Sequence, residues 1–145
     1  MLNFPSYNIR TKSTKKNTLV FDSWRKKWVV LTPEEWVRQH CLHFLEKTLE
    51  IPTQWVAVEK EISLPQLKKR FDIAVFAPDS SLWLVVECKA PQVELNQGVL
   101  DQINQYNSVL QSPYLMLTNG MQHIYCRTDE SICFLESLPK YPKTL

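Results

Sequence analysis

The sequence predicts an α/β domain whose elements run helix, three strands, helix, strand. Three observations carry this prediction. Thr32-Pro33-Glu34-Glu35 has the chemistry of a helix start. Two apolar runs, residues 70–76 and 82–89, flank the turn residues Pro78-Asp79-Ser80-Ser81 and read as a hairpin buried on both faces. Residues 96–111 have helical spacing and precede Asn119-Gly120, the strongest short hairpin signal.

Each element follows from its residues. Residues 1–17 are polar and basic with few apolar anchors, and are expected to form a flexible arm. Residues 18–22 and 27–31 read as short strands around Ser23-Trp24-Arg25-Lys26. Thr32 then caps a helix, with Pro33 at its first position and Glu35 as capping-box partner. Its apolar stripe is Val37, Cys41, Phe44, Leu45 and Thr48, and it ends near Glu50, before Pro52. Glu34, three residues ahead of Val37, is expected on that buried stripe. Residues 55–62 form the strand before the central hairpin, and Pro65 ends it. Ala90-Pro91 breaks the sheet, after which the second helix buries Val99, Ile103, Tyr106 and Leu110. Residues 114–118 and 122–127 pair as a hairpin, 131–135 add a strand, and 137–145 trail as an extended tail. The single domain therefore spans 18–136.

Composition narrows the function classes. At 145 residues, 44% apolar and 22% charged, the chain is one ordinary globular domain. No apolar run approaches the ~18 residues of a membrane span, and the N-terminus lacks a secretory h-region. Cys41, Cys88, Cys126 and Cys133 show no CxxC spacing, so a reducing cytoplasmic setting is expected. The only glycines, Gly98 and Gly120, cannot build a phosphate-binding GxxxxGK[ST] loop, which excludes a P-loop motor from this chain. His40 and His43 lie one turn apart without a third ligand nearby and read as ordinary helix residues, and His123 has no evident partner. Net charge is only +2, but residues 1–21 hold four basic side chains and no acid, and Arg25-Lys26-Lys27 and Lys68-Lys69-Arg70 form further basic clusters.

The chemistry concentrates in the central hairpin. If Ala77 closes the turn opposite Leu82, then Phe76 faces Trp83, Ala74 faces Val85 and Asp72 faces Glu87, with Cβ atoms about 5 Å apart. Strand period two sets Lys89 beside Glu87 on the same face. Two carboxylates opposed in an apolar sheet repel each other, and are tolerated where a cation lies between them or one keeps its proton. A lysine beside a carboxylate-bound metal suits phosphodiester cleavage, so a divalent-metal nuclease site is expected. The alternative is a strand-end Asp72 with Glu87 and Lys89 as a solvated edge pair; the unbroken apolar run 82–86 weighs against it.

Asp72, fourteen intervening residues, then Glu87-Cys88-Lys89 resembles the PD-(D/E)XK nuclease superfamily. The wider sequence is similar to the N-terminal nuclease domain of type I restriction enzyme R subunits. The matching pieces, in order, are Thr32-Pro33-Glu34-Glu35-Trp36-Val37-Arg38-Gln39, Lys69-Arg70-Phe71-Asp72-Ile73, Val86-Glu87-Cys88-Lys89-Ala90-Pro91, Asp101-Gln102 through Tyr106-Asn107, and Thr118-Asn119-Gly120. The resemblance runs from about residue 24 to 127, most of the chain. The resemblance implies a restriction-endonuclease-like α-β-β-β-α-β core, a mixed sheet flanked by helices. It implies Mg²⁺- or Mn²⁺-dependent cleavage of DNA, with Asp72, Glu87 and the Cys88 carbonyl on the metal and Lys89 acting on the attacking water or the charge on phosphorus. Gln102, with Tyr106 four residues on, is implied to line the site from the second helix. A first-helix glutamate is implied to assist the metal through water; stripe position favours Glu34, and Glu35 remains the alternative.

With such a site as target, Arg25, Lys26, Lys27, Lys69 and Arg70 are expected to grip phosphates. The implied partners are DNA and, left open, a motor or specificity subunit on another chain and a second copy in a homodimer. Without a motor the chain reads as a nuclease module standing alone. Two other readings remain: a Holliday-junction or repair nuclease on this scaffold, and a non-catalytic DNA-binding or interaction module.

Overall fold

The structure, a computed structural model, describes residues 1–64, 67–129 and 131–143, with side chains for all of these except 60–64, 67–69, 106, 109 and 110. Three short strands, β1 (Thr11–Ser13), β2 (Thr18–Asp22) and β3 (Lys27–Val30), form an antiparallel sheet in that order. β4 (Val56–Leu64), β5 (Leu67–Phe76), β6 (Leu82–Cys88), β7 (Tyr114–Thr118), β8 (His123–Arg127) and β9 (Cys133–Leu135) form a second sheet, also in sequence order. β6 and β7 run parallel and the other neighbours antiparallel, so the sheet is mixed. Only the parallel pair needs a crossover, and helix α2 (Gln97–Leu110) supplies it. No helix among the described residues is long and apolar enough to cross a membrane.

Helix α1 (Pro33–His43) starts as its cap requires: the Glu35 N–H donates to Thr32 Oγ1 at 3.0 Å. It widens into a π-turn over Phe44–Thr48 and stops short of Pro52. Its buried stripe, Val37, Cys41, Leu42 and Leu45, packs on Ile73, Val75 and Val86. On the other face of the sheet, Leu100 and Ile103 of α2 pack on Val85, Leu115 and Leu117. Asn96 caps α2, and Gln111 ends it in the left-handed region at φ 58°. Of the core positions expected on this helix, Val99 and Ile103 face inward, while the side chains of Tyr106 and Leu110 lie outside the described residues.

Both ends of the chain differ from expectation. Residues 1–17 lie against the domain: Leu2 and Phe4 join the α1-side core, Phe4 sits 4.4 Å from the His123 ring, and the Asn3 N–H donates to Gly120 O at 2.7 Å. His123, partnerless in the sequence, pins this segment: Nε2 is 2.7 Å from Asn3 O and Nδ1 2.8 Å from Thr118 Oγ1. The C-terminal tail is equally held. Leu138 and Tyr141 are buried, and the Tyr141 hydroxyl donates to Phe76 O at 2.5 Å. Scattered aromatics anchored these segments where composition alone suggested looseness. The Asn119-Gly120 turn is also longer than a two-residue one. Thr118 pairs with His123, and Asn119 Oδ1 accepts the N–H groups of Met121 and Gln122. Gly120, at φ 86°, is required there: a Cβ would lie 2.8 Å from Leu2 Cδ2 and 3.0 Å from Val37 Cγ2.

Candidate active site

The central hairpin carries the expected register over Ala74–Val85 and Ile73–Val86. A bulge between Val75 and Phe76 sets Phe76 opposite Leu82 instead of Trp83. At the other end the ladder stops one rung short of Asp72 and Glu87. Side chains replace the missing rung: the Cys88 N–H donates to Asp72 Oδ2 at 2.8 Å, and the Asp72 N–H donates to Glu87 Oε1 at 3.3 Å. On β4 the partner rung is missing too, since Val58–Ile73 and Lys60–Phe71 pair while Glu59 and Asp72 do not. Glu59 has φ 53°, rare for a residue with a side chain and a mark of local re-aiming in a strand. Strand alternation breaks at the same point, because Ile73 packs on the α1 side and Phe71 on the α2 side. The sheet is opened at Asp72, and the acids that meet there no longer follow the pleat.

Around the opening lies a polar network that the sequence reading did not anticipate. Arg38, one turn into α1, is buried, and its Nη2 is 3.1 Å from Asp72 Oδ1. Its Nη1 donates to Glu59 Oε1 at 2.8 Å and lies 3.5 Å from Glu35 Oε1. Arg25 completes a second layer, donating through Nε to Asp22 Oδ2 (2.7 Å), Nη2 to Glu35 Oε1 (2.9 Å) and Nη1 to Glu59 Oε2 (3.1 Å). Gln39 Nε2 bridges Asp22 and Glu35 at 3.0 and 3.2 Å. Two arginines thus serve four carboxylates, which is how charges are retained in a largely buried place. One signal could have found Arg38: it lies three residues before Cys41 and seven before Leu45, and so on the buried side of the helix, where a cation needs an acid.

The electrostatics follow from these contacts. Burial pushes the Asp72 carboxyl above its ordinary value and Glu34 adds to the rise, while the Cys88 N–H, Arg38 and Lys89 pull it back. Glu59 goes the other way: burial opposes ionisation, but Arg38, Arg25 and Arg70 outweigh it and lower its carboxyl. For Asp22 burial is likewise outweighed, by the donors of Arg25 and Gln39. Asp72, Glu34 and Lys89 therefore lie within electrostatic reach of one another.

The expected site residues separate into two groups. Asp72, Glu87 and the Cys88 backbone meet at the opening, with half-buried Lys89 beside them; its N–H donates to Thr118 O at 2.8 Å. The burial expected of Glu34 is reversed: Glu34 is exposed, and Glu35 is the buried one. The capping geometry turns Glu35, not Glu34, toward Arg25, Arg38 and Gln39. Gln102 is exposed on α2 and its side chain makes no hydrogen bond among the described residues, and the Tyr106 side chain lies outside them. Arg25, expected to grip phosphate, instead points its guanidinium at three carboxylates. Lys26, Lys27 and Arg70 are exposed, and the Lys69 side chain is not among those described.

The donor set fits a hard divalent cation. Among the described residues no three acids, histidines or cysteines converge as a metal cluster. Two carboxylates and a carbonyl leave room for the waters that Mg²⁺ keeps, and oxygen-only donors suit Mg²⁺ or Mn²⁺.

A mixed sheet with a β6–α2–β7 crossover, a helix on each face and Asp72 and Glu87 at a broken rung is the restriction-endonuclease-like architecture of a nuclease domain. The chain belongs to the family described as the type I restriction enzyme R protein N terminus, whose profile matches residues 33–142. It is similar in fold to the crystal structure of a candidate nuclease belonging to DUF820 from Anabaena variabilis, with a TM-score of 0.50, 9% identity, and 87% of this chain and 80% of that chain covered. No curated protein matches the sequence.

Proposed function

We propose that the chain is a Mg²⁺- or Mn²⁺-dependent nuclease that hydrolyses DNA phosphodiester bonds. The observation that carries this reading is the break in the sheet where the Asp72 carboxylate takes the Cys88 N–H and the Glu87 carboxylate takes the Asp72 N–H, with Lys89 alongside. Asp72, Glu87 and the Cys88 carbonyl would hold the cation, with Glu34 contributing through water from its exposed place on α1. The bound metal supplies Lewis-acid polarisation of the phosphoryl oxygen and a water of lowered pKa. Lys89 would orient the attacking water or stabilise charge developing on the phosphate, and Gln102 would support the site from α2. The substrate reading is supported by the basic side chains of the small sheet, which Arg25 ties through Glu35 and Glu59 to the site. Partners on other chains, a motor or specificity subunit, suit a domain of this family.

The test is nicking and linearisation of plasmid by purified protein with Mn²⁺ or Mg²⁺. Wild type should cut and Glu87→Ala should not. Equal cutting by both, or cutting that survives chelation, would remove the site from this role. Offering branched, linear and circular DNA separates the junction-nuclease alternative, and a wild type that binds DNA but never cuts would leave the non-catalytic module.

A further inference from the structure

A carboxylate buried at a sheet opening needs a cation, and for Asp72 the protein supplies one of its own. Arg38 Nη2 lies 3.1 Å from Asp72 Oδ1, with only 9% of the arginine side chain and 13% of the aspartate exposed. Asp72 Oδ2 is already engaged by the Cys88 N–H, so both oxygens of this carboxylate have a donor. The same guanidinium reaches Glu59 at 2.8 Å and Glu35 at 3.5 Å, which gives it two further acids. Its Nε is buried with no acceptor among the described residues, so the grip on these acids is incomplete. Glu59 is the most exposed member of the set, at 37%, and is held in the left-handed region that turns it toward Arg25 and Arg38.

We infer that Arg38 is the resident counter-ion of Asp72, and that a divalent cation competes with it, binding as the guanidinium passes from Asp72 to Glu59 and Glu35. The inference rests on the metal-site reading above and deepens it: Arg38 is a positioning residue that sets how tightly the metal is held. Arg25 is what makes the exchange local. It is fixed on Asp22 and shares Glu35 and Glu59, so the acids that receive Arg38 stay in place. When a binding-competent arrangement is only a fraction of the population, apparent affinity falls by that fraction. Removing the competitor therefore tightens metal binding, whereas removing the acid that draws it away weakens binding.

Calorimetric titration of the full chain with MnCl₂ tests this through two changes of opposite sign. Arg38→Gln should bind Mn²⁺ tighter than wild type by about tenfold, and Glu59→Gln should bind it several-fold more weakly. A residue that merely supported the fold would weaken binding in both variants. In wild type, the Arg38 Nε–H resonance should also shift on adding Mg²⁺. Folded Arg38→Gln that binds no tighter than wild type, or Glu59→Gln that binds as well or better, overturns the inference. If Arg38→Gln does not fold, Glu59→Gln and the Arg38 resonance decide it, a stationary resonance at saturating Mg²⁺ counting against. A wild type that takes up no metal while binding DNA is a different failure, that of the metal-site reading itself.

Discussion

Removing four lysines from the small sheet should flatten the salt dependence of DNA binding. Residues 10–27 carry seven basic side chains and one acid, while the whole chain is only +2, so the remainder is net −4. The structure decides which of the seven can reach a phosphate. Arg25 is excluded, because three carboxylates occupy it. Arg10, Lys12, Lys15, Lys16, Lys26 and Lys27 are exposed and, among the described residues, have no carboxylate within ion-pair distance. Each phosphate neutralised on duplex DNA contributes about 0.9 to the slope of log K against log salt, so six contacts give at most about 5.4. A fourfold rise in salt then weakens wild type by up to about 2,000-fold.

Replacing Lys15, Lys16 and Lys27 by Gln, and Lys26 by Asn to respect its φ of 56°, leaves two cations. Arg10 and Lys12 lie over Trp28, at 5.4 and 4.3 Å from the ring centre. The predicted slope drops to about 1.8, and the same salt step then costs only about tenfold. Fluorescence anisotropy with a labelled duplex in chelator measures both lines. The four sites are exposed, so the melting temperature should stay within the small range of surface substitutions. Parallel lines for variant and wild type would refute the sheet as a phosphate-binding surface. Deleting residues 1–17 is the wrong perturbation, since it also strips Leu2 and Phe4 from the core.

Three further outcomes are expected. Lys89→Ala should bind metal and DNA as wild type but cut at least about 100-fold more slowly, the usual loss for an electrostatic or acid–base group; unchanged cutting of plasmid would return Lys89 to a surface role. Gly120→Ala should destabilise by about 1–2 kcal/mol from its left-handed φ alone, with more from the Leu2 and Val37 contacts; urea denaturation of Gly120→Ala with and without Leu2→Ala separates the two, and a neutral Gly120→Ala would contradict the turn. Of the four cysteines, only exposed Cys133 should react quickly with a thiol reagent in the native protein. Burial pushes Cys126 up to about 11, and the hydrogen bond with Cys41, with burial added, raises Cys88 well above its ordinary value, so the Cys126 and Cys88 thiols stay protonated at neutral pH. Fast labelling that survives Cys133→Ser would show a looser core.

The polar network places a constraint on variants near the site. Asp22, Arg25, Glu35, Arg38, Gln39 and Glu59 are bound to one another, so their effects will not add. Removing one partner of such a set leaves a buried charge uncompensated, which is costlier than the net contribution of the pair. Conservative changes such as Glu59→Gln are therefore more informative here than alanine.

Local chemistry in the sequence determined much of this protein. Thr32 and Pro33 set where α1 starts, Pro78 to Ser81 set the turn, and the apolar runs on either side set a register that holds at Ala74–Val85 and Ile73–Val86 and ends one rung short of Asp72 and Glu87. These are interactions between residues close along the chain, or between strands joined by a short turn, so spacing alone carries them. The basic clusters were legible as charge, but not their fate. Lys26 is exposed and its neighbour Arg25 is locked inside, because a guanidinium turns toward whatever acids the fold brings near. Composition also misjudged both termini, since a few aromatics such as Phe4 and Tyr141 hold a segment only if the fold offers them a place to pack. Tertiary structure alone decided the pairing of Arg38 with Asp72 across 34 positions of sequence. It also decided the opened rung at Glu59 and the choice between Glu34 and Glu35 as the buried acid. In each case the deciding energy is a charge seeking a partner out of water, and which partner lies within reach is settled only when helix and sheet have come together.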